Sequence, residues 1–385
     1  MKPDVRKLAP VLQLVNGEVY SGLERVVDHL AGHADALGIE MRLAMLKPGL
    51  MRSRMKTPGV RLHELPMRSR FDFGVVSQAA ALVRELGCRL IHSHTVRSAI
   101  IARRVQRATG LSWVHHVHSP ALHESERRGL NLVNFLAEFV VMRHADRVIA
   151  VSQPLVDYTV RHYGVDEARV VCVPNGVGRV AGQAARDGTS LRVLTTGLYR
   201  RRKGIENIVH AAAALRAAGH VFEWRVVGEF SDIVYCREIR AMLADQQLEG
   251  WVQLKGFCAD VESHLRAADL FVCPSLYGEG MPMAVLEAMA HGVPVVASDI
   301  DGVRDVLAEG AGLLVPVGSP SELARAVQSL LLDMPRRLEL GERGRQRQAE
   351  HFSVESLCNR VFEIYRELMP PGHPAVSRTP RRYRS

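Results

Sequence analysis

The sequence predicts an α/β fold made of two doubly wound parallel sheets, one in each half of the chain. Short apolar runs alternate with amphipathic helical patterns along nearly all of the 385 residues, which is the order of parallel strands joined by crossover helices. A stretch without periodicity at 178–190 separates two halves of similar size. Several strand-like runs end in glycine or polar residues, where such sheets bind ligands.

The predicted domains follow from this division. An N-terminal doubly wound domain covers residues 1–177, a linker covers 178–190, and a second doubly wound domain covers 191–352. A final helix lies within 353–369. The segment 370–385 is rich in Pro and Arg and is predicted to be disordered.

Hydrophobic periodicity assigns the elements in chain order. In the first half the predicted strands are 11–15, 41–46, 90–92, 112–116, 147–152 and 170–173. The helices predicted between them are 23–36, 75–86, 99–109, 130–143 and 154–163. In the second half the strands are 191–196, 222–227, 252–254, 269–273 and 293–297. The helices there are 205–217, 233–246, 261–267, one beginning near Met283, 320–333, 335–348 and 354–368.

Composition limits the classes of protein. No apolar run reaches the length of a membrane span, and the run 8–15 after Lys2, Arg6 and Lys7 is interpreted as a buried first strand rather than a signal peptide. The six cysteines show no CxxC spacing, which indicates buried thiols in a reducing cytoplasm. The sequence therefore predicts a cytoplasmic protein.

The net charge of +9 lies in the first half of the chain. Residues 1–180 hold 25 Lys and Arg against 16 Asp and Glu, whereas 181–385 hold 25 of each. A basic face can meet an anionic membrane, a phosphorylated acceptor or nucleic acid, and a solvated charge run is the plain alternative. Few aromatic residues are interleaved among the basic residues that cluster at 42–70 and 97–107, which disfavours nucleic acid.

The stretch 275–298 carries the clearest functional pattern. Glu279 and Gly280 lie in a loop after an apolar strand, and a helix with Pro282 at its start follows. The N–H groups and the dipole at such a helix start suit a phosphate. Glu287 lies eight positions after Glu279, about two turns into the predicted helix, so one extended ligand could contact both carboxylates.

Four consecutive cations precede the first helix of the second half. They occupy 200–203, ending with Arg202 and Lys203, between Gly197 and Gly204. Because they follow a strand end and adjoin a helix N-terminus, we expect them to bind a diphosphate. A solvated charge run is the alternative.

The first strand turns into the first helix between Gly17 and Gly22, where glycines allow a ligand close to the backbone. Leu23 and Glu24 stand where a P-loop has Lys and Ser or Thr, so this is not a P-loop. The chain also lacks a G-x-G-x-x-G run, which argues against a dinucleotide oxidoreductase. A plain βα turn remains the alternative.

Histidines cluster near the ends of two predicted strands of the first sheet. They are His92, His94, His115, His116, His118 and His123. The carboxyl ends of parallel strands bind ligands, and we select His118, just past a strand, as the functional histidine. A hydrogen-bonded structural imidazole is the alternative. The spacing lacks HExxH or Cys/His pairs, so no metal site is predicted.

Asp299-Ile-Asp301 matches the loose DxD pattern of metal-bound nucleotide sugars. It directly follows a strand and leads through Gly302 into a helix. We therefore interpret both aspartates as capping or turn residues.

Taken together, these motifs resemble the retaining nucleotide-sugar glycosyltransferases of the GT-B fold, in glycosyltransferase family four (group 1). The residues that carry the resemblance are Gly22, Ile91-His-Ser-His94, His118, Val148 to Ser152, Val173-Pro-Asn-Gly-Val177, Arg202-Lys-Gly204, Gly228, Gly256, and Glu279 to Ala290 with Glu287. The resemblance implies two Rossmann-like domains facing a central cleft, with the final helix crossing back to the first domain.

The resemblance also implies roles. Glu287 would bond the nucleotide ribose, and Glu279 would lie beside the transferred sugar. Lys203 with Arg202 would neutralise the diphosphate leaving group. The amides of Gly280 and Met281 would hold the sugar and phosphates, His118 would contact the donor sugar, and the Gly22 loop would close over the phosphates. The anomeric configuration would be retained, with the leaving phosphate helping to deprotonate the acceptor, and with no metal and no cofactor.

Two positions depart from the family pattern. Leu198 stands where the family often has Arg, and Asp305 stands where Glu is common. Arg202 is expected to compensate for the first. The second puts a sugar contact at Asp305 in doubt.

The sequence thus predicts transfer of a hexose or N-acetylhexosamine from a UDP- or GDP-sugar, with uridine preferred, to a hydroxyl acceptor. The expected acceptor is a lipid-linked or polysaccharide intermediate of cell-envelope glycan synthesis, met peripherally on the inner face of the plasma membrane through the basic first half. The alternatives are a small soluble acceptor, a sugar-nucleotide epimerase of the same fold, and a non-catalytic nucleotide-sugar or nucleic-acid binder.

Overall fold

The computed structural model describes residues 8–69, 72–123, 128–180 and 191–369. The chain forms two compact units, one from 1–174 together with 354–385 and one from 175–353. Of the predicted linker, residues 181–190 lie outside the described residues, and so does the tail 370–385.

The first unit contains a seven-stranded parallel sheet. Its strands are β1 (Leu8–Val15), β2 (Ile39–Met45), β3 (Leu62–Glu64), β4 (Leu90–Ser93), β5 (Ser112–Val117), β6 (Arg147–Ala150) and β7 (Val170–Cys172). Their order across the sheet is β3-β2-β1-β4-β5-β6-β7. The order reverses between β1 and β4, and in such sheets that point is where ligands bind.

Helices connect these strands. They are α1 (Gly22–Ala34), α2 (Leu50–Arg54), α3 (Gly74–Glu85), α4 (Val96–Thr109), α5 (Arg128–Met142) and α6 (Gln153–Tyr163). The central strands are buried on both faces, which explains their continuous apolar runs. Trp113 in β5 is fully buried and its indole N–H donates to Ser93 Oγ at 2.8 Å.

The second unit has a six-stranded parallel sheet in the order β10-β9-β8-β11-β12-β13. The strands are β8 (Leu191–Thr196), β9 (Phe222–Val227), β10 (Val252–Gly256), β11 (Leu270–Cys273), β12 (Val295–Ser298) and β13 (Leu313–Val315). The helices are α7 (Ile205–Ala217), α8 (Ile233–Asp245), α9 (Val261–Ala267), α10 (Met283–Ala290), α11 (Asp301–Arg304), α12 (Pro320–Leu332) and α13 (Met334–His351). The predicted α/β class with two doubly wound sheets is confirmed.

The last helix, α14 (Val354–Leu368), belongs to the first unit and packs on α1. Its buried face includes Leu357, Val361, Phe362 and Tyr365. The spacing of these residues places them on one side of the helix, so the helix covers the sheet with an apolar stripe.

Three short elements were not predicted. They are α2, β3 and β13, of which the two strands are three residues long and lie at sheet edges. Strand β3, Leu62-His-Glu64, holds one apolar residue and shows no apolar run, whereas the equally short edge strand β7 was predicted from Val170-Val-Cys172. Among the described residues, no helix combines the length and the apolar character needed to cross a bilayer.

Candidate active site

A short basic turn follows β8 in the second unit. Residues Arg201–Lys203 form a 3-10 helix, and Gly204 caps α7 in the left-handed conformation with φ 63°. A Cβ on Gly204 would lie 2.3 Å from the carbonyl oxygen of Pro274, so only glycine fits. Leu276 N–H also donates to Arg202 O at 2.7 Å. The turn is therefore fastened to the segment after β11.

This contact brings two of the four predicted cations, Arg202 and Lys203, to Glu279, whereas Arg201 pairs with Glu238. Lys203 Nζ donates to Glu279 Oε1, and Ser275 Oγ donates to the same oxygen at 2.8 Å. Arg202 Nη1 lies 3.6 Å from Glu279 Oε1 and donates to Gly278 O at 3.0 Å. The side chain of Glu279 is 8% exposed. The structure thus places Arg202, Lys203 and Glu279 in one cluster.

The charge state of Glu279 follows from this cluster. Burial alone would raise its pKa, but the charges of Lys203 and Arg202 and the hydrogen bonds from Lys203 and Ser275 hold the pKa at about 2. Glu279 is therefore an anion at neutral pH. It orients the two cations that a diphosphate would attract.

The predicted helix after this loop is present as α10, with Pro282 at its N-cap. Glu287 is its fifth residue, little more than one turn in, so the expected two turns are wrong because the helix starts only at Met283. Glu287 is buried, at 7% exposure. Because Glu287 is only the fifth residue of α10, its carboxylate lies toward the N-terminal half of that helix.

The loop before α10 is shaped by two further residues. Asn175 Nδ2 donates to Met281 O at 3.0 Å, and a Cβ on Gly302 would lie 2.2 Å from Glu279 O and 2.4 Å from Gly280 O. The backbone N–H groups of Gly280 and Met281 donate to no oxygen of the described residues. They fit the predicted role of amide donors to a ligand.

Asp299 and Asp301 bind Arg304 instead of capping α11 with their side chains. Arg304 Nε donates to Asp299 Oδ1 at 2.7 Å and Arg304 Nη1 to Asp301 Oδ1 at 3.2 Å. Ile300 holds the N-cap position. Both carboxylates therefore pair with a guanidinium at the surface, the Arg304 side chain being 54% exposed. Asp305 is the C-cap of the same helix.

In the first unit, Gly22 is the first residue of α1. The preceding Ser21 donates through its N–H and its hydroxyl to Glu24 Oε2, at 3.0 and 2.8 Å. Gly17 has φ 86° and lies against Met45, and Leu50 N–H donates to Glu18 O at 3.2 Å. The loop between Gly17 and Gly22 is therefore supported by the start of α2.

The predicted histidine cluster is present at the carboxyl ends of β4 and β5. His94 Nε2 lies 2.7 Å from Gln13 Oε1, and His94 Nδ1 lies 3.1 Å from His118 Nε2. His92 and His116 are fully buried, whereas His118 is partly exposed. His118 therefore presents the face of the cluster that a ligand can reach. His123 lies in a 3-10 turn after β5.

The hydrogen bonds assign the tautomers. Gln13 Oε1 can only accept, so His94 donates through Nε2 and accepts at Nδ1 from His118 Nε2–H. This leaves His118 Nδ1 as an acceptor that the hydrogen bonds of the described residues do not use. This nitrogen can accept a hydrogen bond from a sugar hydroxyl.

Burial and mutual repulsion keep these histidines neutral. Burial, followed by neighbouring histidines, lowers the pKa of His92, His94 and His116 well below 6.5. The same two causes lower the pKa of His118 to about 3. A neutral imidazole at His118 is suited to hydrogen bonding.

Three of these histidines could hold a metal ion. Ring nitrogens of His92, His94 and His116 lie within 4.8 Å of one another. A tetrahedral zinc site with bonds of about 2.0–2.1 Å needs nitrogens about 3.4 Å apart. To bind such an ion, His94 would have to release Gln13 or His118.

Sequence reasoning missed three residues of these clusters. Tyr365 accepts from Gln13 Nε2 at 2.9 Å and lies 2.5 Å from His92 Nδ1, and Ser275 binds Glu279. Gln13 is a polar residue in an apolar strand, a signal that could have been noticed. Tyr365 and Ser275 show no such local signal.

The predicted site residues thus fall into two groups. Gly22 and His118 lie in the first unit, where Leu23, His94, His116 and His118 line one small cavity. Arg202, Lys203, Glu279, Gly280, Met281 and Glu287 lie in the second unit.

Two family models match the two halves of the chain. The family described as "Glycosyltransferase Family 4" matches residues 20–178, and "Glycosyl transferases group 1" matches 181–347. The α-maltose-1-phosphate synthase of Mycolicibacterium smegmatis is 31% identical over 77% of this chain and 82% of its own. The UDP-Gal:α-D-GlcNAc-diphosphoundecaprenol α-1,3-galactosyltransferase of Escherichia coli is 24% identical over 73% of this chain and 76% of its own.

Among solved structures, Anabaena HepE in complex with UDP and glucose superimposes with a TM-score of 0.81 at 18% identity, covering 93% of this chain and 99% of that one. The likeness identifies the fold as GT-B. The chain belongs to the group 1 glycosyl transferases, glycosyltransferase family 4. The predicted enzyme class, a glycosyltransferase, is confirmed.

Proposed function

We propose that the protein is a retaining glycosyltransferase that moves a hexose or N-acetylhexosamine from a UDP-sugar to a hydroxyl group. The observation that carries the proposal is the cluster of Lys203, Arg202 and Glu279 next to the start of α10. Two cations beside free amide groups suit the diphosphate of a nucleotide sugar. The structure of HepE with UDP and glucose supports a uridine donor.

Each residue has a role in this proposal. Lys203 and Arg202 stabilise the negative charge that develops on the departing diphosphate. Glu279, already an anion, accepts a hydrogen bond from a hydroxyl of the transferred sugar. The amides of Gly280 and Met281 donate to the sugar and the phosphates. Glu287 binds the ribose, and His118 accepts a hydrogen bond from a hydroxyl of the sugar. The leaving phosphate removes the acceptor proton, and neither a metal nor a cofactor takes part.

The proposed acceptor is a lipid-linked intermediate of cell-envelope glycan synthesis. The E. coli relative, named for a diphosphoundecaprenol acceptor, supports this choice. A small soluble phosphorylated sugar is the second candidate, because the Mycolicibacterium relative at 31% identity is named for such a product.

A thermal-shift panel tests the donor. UDP, GDP, ADP and their sugars are compared with magnesium and with chelator. We expect the largest rise in Tm with a UDP-sugar, unchanged by chelator. Stabilisation that disappears with chelator would contradict metal independence. A larger rise in Tm with a GDP-sugar would indicate a guanosine donor in place of uridine.

A transfer assay tests the reaction. The preferred donor is incubated alone, with a polyprenyl-diphosphate-linked sugar, and with a sugar phosphate, and the anomeric configuration of the product is read by NMR. We expect an α-linked product from an α-linked donor and the lipid-linked acceptor. An inverted product would refute retention, and isomerised donor without acceptor would indicate an epimerase.

A further inference from the structure

Helix α5 exposes a continuous apolar stripe. Leu132, Val133, Leu136 and Val140 are 51%, 49%, 51% and 61% exposed. At about 100° per residue these four positions fall within an arc of about 100° around the helix axis. Arg143, just beyond the helix end, continues the same arc and is exposed. Apolar side chains gathered in this way mark an interaction surface.

The buried side of α5 combines the apolar residues Val141 and Met142 with two polar ones. Its buried side carries Asn131, whose Nδ2 donates to Leu122 O at 2.9 Å, and Glu138, which accepts from the Tyr163 hydroxyl at 2.5 Å. Glu138 is the only acidic residue of the helix, so the exposed face has no negative charge. The orientation is held by these two buried polar contacts, and turning the apolar stripe inward would break both.

Arginines surround the C-terminal end of the stripe. Burial, followed by the charges of Arg103, Arg143, Arg169 and Arg107, lowers the pKa of His144. None of the four arginines forms an ion pair with a carboxylate of the described residues: Arg103 donates to Gln106, Arg143 stacks on Phe139, and Arg169 donates to Arg143 O. The acidic residue near these arginines is Asp146, whose carboxylate accepts hydrogen bonds from Gln106 Nε2 and from the Trp113 N–H.

Three other cations of the first unit are paired with carboxylates. Arg42 binds Glu40, Lys47 binds Glu18, and Arg52 binds Glu64. Each of these pairs cancels one positive charge. Among the described residues, the charges of the four arginines beside α5 are not cancelled in this way.

We infer that the exposed face of α5, with Arg103, Arg107, Arg143 and Arg169 at its end, docks on an anionic lipid bilayer. An apolar stripe beside a basic cluster is the pattern of a helix lying in the membrane interface. A second copy of the chain fits less well, because its α5 face carries no carboxylate to receive these arginines. The inference goes beyond the proposed transfer, since binding is measured without donor or acceptor.

Vesicle co-sedimentation tests the inference. The full chain is mixed with vesicles of phosphatidylcholine alone or with phosphatidylglycerol, at low and high salt. We expect binding only to the phosphatidylglycerol vesicles, weakened by salt. Leu136→Glu should reduce the partition coefficient on the order of tenfold or more. Arg107→Glu with Arg143→Glu should reduce it at least roughly fivefold per arginine.

Leu332→Glu is the matched control, because Leu332 is 70% exposed on α12 in the second unit. It should bind vesicles like the unchanged protein. Circular dichroism and Tm verify that each variant is folded. The inference is overturned if the unchanged protein ignores anionic vesicles, or if Leu136→Glu binds as well as Leu332→Glu. It is also overturned if light scattering shows a dimer that Leu136→Glu alone dissociates while no vesicle binding occurs.

Discussion

The hydroxyl of Tyr365 lies 2.5 Å from Nδ1 of His92, although 273 positions separate the two residues. Gln13 Nε2 donates to the same hydroxyl at 2.9 Å. The hydroxyl therefore accepts from Gln13 and donates to His92, and through Gln13 it also supports His94. One phenol on the last helix thus fixes ring orientations at the carboxyl end of the first sheet.

Tyr365→Phe should destabilise the protein by about 1–3 kcal/mol, because it leaves the buried Gln13 amide and His92 Nδ1 without a partner. Urea unfolding measures the loss. Phe362→Leu, on the same buried face of α14, is the packing control. Only Tyr365→Phe should shift the imidazole 15N resonances of His92 and His94. Equal histidine spectra in the two variants would contradict the proposed network.

The histidine cluster should make the first unit sensitive to mild acid. The folded-state pKa of His92, His94 and His116 lies well below 6.5 and that of His118 at about 3, so the unfolded chain binds more protons at intermediate pH. Stability is therefore complete above pH 6.5 and falls as the pH drops below it, by about 1.4 kcal/mol per histidine and pH unit.

Urea midpoints of the full chain between pH 7.5 and pH 5 measure this slope, with the pH limits chosen around the ordinary histidine pKa of about 6.5. Replacing His116 by Asn should reduce the slope. A stability that stays flat through this range would show that the histidines titrate normally in the folded protein.

Lys203→Ala should lower kcat/KM for the UDP-sugar by about 10²–10³-fold, because a charge beside the departing diphosphate is lost. Arg201→Ala is the matched control, since Arg201 is two residues earlier in the same turn and pairs with Glu238 at the surface. It should leave kcat/KM nearly unchanged. If the two variants lose activity equally, the turn acts by its overall charge and not through Lys203.

Glu279→Gln should retain donor binding but lower kcat, because a neutral amide no longer orients Lys203 and Arg202. The substitution should also change how the free energy of unfolding falls at acid pH. The pKa of Glu279 is about 2 in the folded protein against an ordinary 4.5, so its contribution is complete above pH 4.5 and is lost as the pH falls toward 2.

That contribution amounts to roughly 3 kcal/mol. Isothermal titration with UDP-sugar, steady-state kinetics and urea unfolding at pH values on both sides of 4.5 check the three expectations. Full transfer with normal donor binding in Glu279→Gln would remove this residue from the proposed mechanism.

Local pattern was enough for most of the fold. The predicted 205–217, 222–227 and 261–267 coincide with α7, β9 and α9, because each has a complete apolar period bounded by turn residues. The edge strand β3 was missed since Leu62-His-Glu64 holds one apolar residue, and β13 was missed although Leu313-Leu-Val315 is apolar.

The site was predictable as a set of motifs but not as a set of contacts. Lys203 and Glu279 were both selected, yet their ion pair spans 76 positions and depends on Gly204 meeting Pro274. Tyr365 lies on an ordinary amphipathic helix, and nothing in its neighbourhood in the sequence indicates a partner in β4. Such contacts arise only when the sheet and the last helix pack together.

The membership of α14 in the first unit has a consequence for the order of events during synthesis. The ribosome completes residues 175–353, which can fold as a unit, before it releases the helix that covers β1 and β4. Until then Gln13 and His92 lack the Tyr365 hydroxyl. The first unit, although most of it is translated first, therefore cannot complete its native contacts until α14 has emerged.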